Sequence, residues 1–194
     1  MVSTAALALV TLLGGVQLLE TVLDRLNLRY GARAVRDADE WVRSALDVDD
    51  PEEMLAYQRS KTVLSNIQSW LGLVLVLAVV VSGLYGDIAA MLSATGLPSV
   101  AQGILLLAGA VIAGRLFSVP FDLYETFVVE ERFGFNNQTV ALWLRDLLVG
   151  TVVALALGGL VAGGVLVAVE ALPTLWPVVG WALVVGFSLL MMIV

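Results

Sequence analysis

Cysteine and histidine are both absent from this 194-residue sequence. Without cysteine there is no disulfide framework and no thiolate site. Without histidine there is no Ser-His-Asp triad, no Cys-His pair and no His-Glu-x-x-His zinc motif. A metal site built of carboxylates alone would need a spacing that the sequence does not show, so no catalytic, cofactor-binding or metal-ligating residue is expected in this chain. Lysine is nearly missing as well, since Lys61 stands alone beside nine arginines. With a net charge of −7, an acidic, lysine-poor chain of this kind argues against nucleic-acid binding.

What the sequence does have is apolar residues. They make up 60% of the chain, against about 45–50% in an ordinary soluble domain, and the mean hydropathy is +0.96. Several windows of about 20 apolar residues are long enough to cross a bilayer core. Strand-like alternation nowhere persists far enough for a barrel. The expected fold is all-α: a polytopic helical membrane protein with about five transmembrane helices, an amphipathic interfacial helix and a short loop helix. The spans fall at about 5–24, 62–84, 100–119, 140–169 and 175–194, within a single membrane domain of residues 1–194.

The first span has no basic residue ahead of its apolar core, which separates it from a secretory leader. Gln17, Glu20 and Asp24 fall on one helical face near its inner end, facing either the bundle or an aqueous interface. In the polar segment 25–61, Val35, Ala38, Val42, Ala45 and Leu46 recur at helical spacing opposite Arg33, Arg36, Asp37, Glu40 and Arg43. This pattern predicts an interfacial amphipathic helix. Asp50, Pro51 and Glu53 then supply a cap, a first helical residue and a capping-box partner. The following helix carries a polar stripe of Gln58, Thr62, Ser65, Asn66 and Ser69. In lipid such a stripe faces protein or water. It serves either interhelical hydrogen bonds or the lining of a hydrated cavity.

Tyr85-Gly-Asp is expected to begin a turn, and Pro120 to close the third span. The Gly159 and Gly163 pair suits close helix contact. Seven of the ten basic residues lie between the first and second spans, and the other three flank the connection between the third and fourth. By the positive-inside rule the N-terminus is outside and the C-terminus cytoplasmic. The last span stops without a polar flank, as expected of a piece cut from a larger protein.

Between the third and fourth spans, the loop of residues 120–139 concentrates four carboxylates and four phenylalanines around Gly134. It predicts a helix from Leu123 to about Arg132, a turn at Gly134 that needs positive φ, and a cap for the next helix at Asn136 or Asn137. Phe133 and Phe135 are placed to wedge the turn against neighbouring helices. Glu125, Glu130 and Glu131 are expected to hold the loop together through Arg132, Arg145 or backbone amides. They are not an acid–base pair, because adjacent helical glutamates point about 100° apart.

Pro120, Tyr124, Phe127, Glu130, Glu131, Phe133, Gly134, Phe135, Asn136, Thr139 and Asp146 together resemble the intramembrane loop signature of the type I CAAX prenyl proteases. These are integral-membrane zinc metalloproteases that cut the C-terminal tripeptide from prenylated substrates. The resemblance is strongest from Gly114 to Asp146. It implies five of the family's seven spans, with the zinc ligands, the general base and the protease region all missing here. Zinc is then a cofactor of the full-length parent only, and a prenylated peptide its implied substrate. Asn137 and Val149 stand where the family often has basic residues, so no role of those charges carries over. Two other readings remain: a stand-alone structural or partner-binding membrane subunit, and a small transporter.

Overall fold

The computed structural model describes residues 4–37, 44 and 51–193. Among the described residues the helices run in the order α1 (Thr4–Asp37), α2 (Pro51–Ser82), α3 (Leu84–Ser93), α4 (Ser99–Tyr124), α5 (Val140–Ala171) and α6 (Trp176–Ile193). Between α4 and α5 a π-helical segment spans Glu125–Glu130. Among the described residues, five stretches are long and apolar enough to cross a membrane: Leu7–Val35, Glu52–Ser82, Ser99–Glu130, Val140–Ala171 and Trp176–Ile193.

The distribution of apolar surface fits that environment. Among the described residues the buried hydrophobics are Val35, Val129 and Ala168, whereas Leu160 is 72% and Met192 85% exposed. In water, apolar faces of this extent would drive aggregation. In lipid they are solvated, and only the backbone must satisfy itself, which an α-helix does internally.

Several boundaries differ from those read off the sequence. α1 runs on to Asp37, so Val35 and Asp37 end the first helix instead of opening a separate amphipathic one. The rest of that expected helix (Ala38, Glu40, Val42, Arg43, Ala45, Leu46), and the Asp50 cap, lie outside the described residues. α2 does start at Pro51, with Glu52 and Glu53 in its first turn, where negative charge complements the helix dipole. It ends before Gly83, whose φ of +78° interrupts the right-handed helical path before α3 begins. Tyr85-Gly-Asp is consequently helical.

Pro120 does not close a helix. α4 passes through it to Tyr124 and continues as the π-helical segment. Proline removes one backbone donor, a loss that transmembrane helices absorb by local readjustment. The π-helical stretch begins five residues later, at Glu125.

The chain divides into two compact units, one made of Met1–Leu84 with Phe117–Gln138, the other of Tyr85–Leu116 with Thr139–Val194. In the first, both α1 and the π-helical segment pack on α2. In the second, α5 packs on α6, and Gly164 and Gly180 lie under Leu183 and Val165. The Gly159–Gly163 pair does not act as a unit: a Cβ on Gly163 would meet Ile104 at 3.2 Å, while one on Gly159 would meet nothing within 4 Å. Ser99 donates a hydrogen bond to Glu170, tying the start of α4 to the end of α5.

Candidate functional site

The loop after α4 lies antiparallel against α2. Three contacts fix the register. Gln68 Nε2 donates to Ser118 Oγ at 3.2 Å, Lys61 Nζ meets Glu125 and Glu130, and Tyr57 meets Phe133 and Phe135.

The π-helical geometry explains how two glutamates reach one lysine. Five residues along an α-helix of 3.6 residues per turn, side chains diverge by about 140°. A π-helix closes its hydrogen bonds between residues i and i+5, which brings that spacing close to one face. Glu125 Oε1 accordingly sits 2.6 Å from Lys61 Nζ, and Glu130 Oε1 3.7 Å from it. The ammonium also lies 5.4 Å from the Tyr57 ring centroid, within range of a cation–π contact.

The segment then ends in a Schellman motif. Gly134 N donates to Glu131 O at 3.2 Å and Phe135 N to Glu130 O at 2.9 Å, with Gly134 at φ +72°. That is the left-handed residue such a stop requires. The reversal projects Phe133 and Phe135 onto Tyr57, at ring-centroid distances of 5.4 and 4.8 Å. Asn136 Nδ2 donates to Glu131 Oε2 at 2.8 Å, and Asn136 Oδ1 accepts from Gln138 N at 2.8 Å.

Neither asparagine caps the next helix. Thr139 does, with extended backbone and its hydroxyl accepting from Leu142 N at 3.3 Å. Asn136 is already engaged by Glu131 and Gln138, and Thr139 stands immediately before the first helical residue.

A groove of about 560 Å³ opens between α2 and the loop. Val63, Leu64, Ile67, Phe121, Val128 and Val129 supply most of its wall, and Pro120, Tyr124 and Phe133 also line it. Its charged lining residues are Arg59 and Arg132. The antiparallel register puts both at the end nearer Tyr57. A second groove of about 470 Å³ lies between α1 and α2, lined by Thr21, Arg25, Thr62, Asn66 and Trp70 among others.

At that second groove Asp24, expected on the polar face of α1, meets Asn66 of the α2 stripe, joined by Thr21 and Trp70. Trp70 Nε1 donates to Thr21 Oγ1 at 3.0 Å, Thr21 Oγ1 contacts Asn66 Oδ1 at 3.1 Å, and Asn66 Nδ2 donates to Asp24 Oδ2 at 2.9 Å and to Thr62 O at 3.0 Å. Both amide hydrogens of Asn66 are thus used.

The remaining expected positions scatter. Gln58 and Ser65 are exposed and Ser69 is half-buried, and none of the three lines either groove. Phe127 is half-buried within the π-helical segment. Asp146 is exposed on α5, in the other unit.

The tie that holds the loop is also different from the one expected. Arg132 lies 5.6 Å from the Phe133 ring and Arg145 belongs to α5, whereas Lys61 takes the glutamates. Sequence reasoning passed over Tyr57 and Lys61. The available signal was their i, i+4 spacing on one face of α2, together with the isolation of the sole lysine. Among the described residues, no three carboxylates lie close enough together to hold a metal ion.

Residues 27–194 match the family profile described as CAAX prenyl protease N-terminal, five membrane helices. The chain belongs to the CAAX prenyl protease N-terminal family. Curated relatives agree. A CAAX prenyl protease 1 homolog of Oryza sativa subsp. japonica is 34% identical over 86 residues, 44% of this chain and 20% of that protein. A probable CAAX prenyl protease 1 of Schizosaccharomyces pombe is 40% identical over 62 residues, 32% of this chain and 12% of that protein. A CAAX prenyl protease 1 homolog of Homo sapiens is 38% identical over 47 residues, 24% of this chain and 10% of that protein. The match thus covers a fifth or less of the length of each of these relatives. The matched residues of this CAAX prenyl protease N-terminal domain take in the last part of α1 and all of α2 to α6.

Proposed function

We propose that this chain, as a single domain, forms the transmembrane wall and substrate platform of a membrane zinc metalloprotease that hydrolyses peptide bonds near the C-terminus of prenylated substrates. On this reading it is inactive alone. Zinc, its ligands and the general base belong to a protease region that this chain does not include. The histidine-free, cysteine-free chain offers no donor set that fits zinc, so no chemical step is assigned to its residues. Their task is to shape and position. The arginine-rich segment and the loop face the cytoplasm, with the N-terminus outside and the C-terminus cytoplasmic.

The observation that carries this reading is the docking of the signature loop on α2 through Lys61, Glu125 and Glu130, with an apolar groove alongside. An apolar cleft with a few polar groups at one end suits an amphiphilic ligand.

The test is a cleavage assay on the purified chain, given zinc and a farnesylated peptide, beside the longer product of the coding sequence read past Val194. The expected results are no cleavage and no stoichiometric zinc for the chain, and both for the longer protein. Cleavage by the chain itself would refute the reading. A stop codon directly after Val194 would favour a stand-alone subunit.

A further inference from the structure

The groove between α2 and the loop, which the reading above takes to suit an amphiphilic ligand, carries its charge in a form that narrows the choice of ligand. Its lining contains Arg59 and Arg132 and no carboxylate. Of the glutamates in the adjoining segment, Glu125 and Glu130 are engaged by Lys61, and Glu131 accepts from Asn136 Nδ2. Neither arginine is ion-paired among the described residues. The register of the α2–loop contacts puts both at one end. From there the wall continues through Val63, Leu64, Ile67, Phe121 and Val128, all within stretches apolar enough to cross a membrane. A cleft of about 560 Å³ falls within the ordinary range for small-ligand sites, about 300–1,000 Å³.

We propose that this groove is a binding site for an anionic phospholipid of the surrounding bilayer, with one acyl chain along the apolar wall and the phosphate at Arg59 and Arg132. Charge complementarity selects the headgroup. Arginine forks pair with phosphate oxygens in a bidentate manner, and basic pockets between transmembrane helices take anionic headgroups. The opposite wall belongs to the loop, so a bound lipid fills the space beside the Lys61 clasp. This site does not depend on proteolytic activity.

The experiment uses the whole chain in mixed micelles, with spin-labelled phosphatidylglycerol and phosphatidylcholine as probes. The expected result is a preference for phosphatidylglycerol of roughly five-fold per arginine engaged, about 30-fold with both. Arg59→Gln with Arg132→Gln should abolish the preference, and Arg25→Gln, in the other groove, should leave it intact. Should the double variant fail to fold, Val128→Trp, which fills the apolar wall, should reduce binding of both lipids. Equal affinity for the two lipids in the unaltered chain would overturn the proposal, as would a preference that survives both the arginine and the tryptophan changes. So would saturable, arginine-dependent binding of a farnesylated peptide without any lipid preference, which would make the groove a substrate site instead.

Discussion

Lys61 Nζ and Glu125 Oε1 stand 2.6 Å apart, joining α2 to a π-helical turn that follows a proline-containing helix. Both side chains are about one-third exposed, so the pair contributes modestly, about 1 kcal/mol after solvent screening. Its larger effect is on order in the loop. Lys61→Met should leave the helices folded and raise amide hydrogen exchange across 133–137 several-fold. The charge swap Lys61→Glu with Glu125→Lys should recover part of that protection. Exchange unchanged in Lys61→Met would mean that the clasp does not hold the loop.

Tyr57 provides the second anchor, through Phe133 and Phe135. Each aromatic pair is worth about 0.5–1.5 kcal/mol beyond area burial. Tyr57→Ala should therefore lower thermal stability more than Tyr57→Leu, and combining it with Lys61→Met should cost more than either alone. The measurement is a melting curve in detergent for all the variants.

Gly134 is the one loop position where conformation dictates the residue. At φ +72° a Cβ costs about 1–2 kcal/mol, although nothing within 4 Å would obstruct it. Gly134→Ala should destabilise by that amount and Gly134→Asn by less, since asparagine tolerates the left-handed region. Equal costs would point to packing, not backbone geometry, as the constraint.

Asn66 tests the interhelical network. Interhelical hydrogen bonds in membrane proteins contribute about 0.6 kcal/mol on average and up to about 1.7. Asn66→Leu loses contacts to Thr21 and Asp24 and leaves Asp24 without that donor. A loss of about 1–2 kcal/mol in a reversible unfolding assay is expected, and a neutral result would reduce the network to a by-product of packing.

Much of this architecture was legible in the sequence because lipid solvation imposes long apolar runs, and such runs are counted easily. Gly134 was legible too, since few residues tolerate the left-handed turn. The passage of α4 through Pro120 was not, because the missing donor and the ring clash that end helices in soluble proteins are absorbed in transmembrane helices by local readjustment. The convergence of Glu125 and Glu130 on Lys61 was hidden for a related reason. It depends on a π-helical register, and an α-helical wheel draws those glutamates apart. Thr139 lost the cap assignment to its asparagine neighbours because residue preference alone does not reveal which side chains are already engaged.

The central structural claim is that the loop sits against α2 within a membrane-embedded chain. Because the sequence contains no cysteine, paired cysteines can be introduced without background. Tyr57→Cys with Phe133→Cys, treated with a short bis-thiol crosslinker in membrane vesicles, should crosslink within the chain far more efficiently than Tyr57→Cys with Phe117→Cys, since Phe117 lies beside Gly72, well along α2 from Tyr57. Equal, low crosslinking of the two pairs would contradict the account.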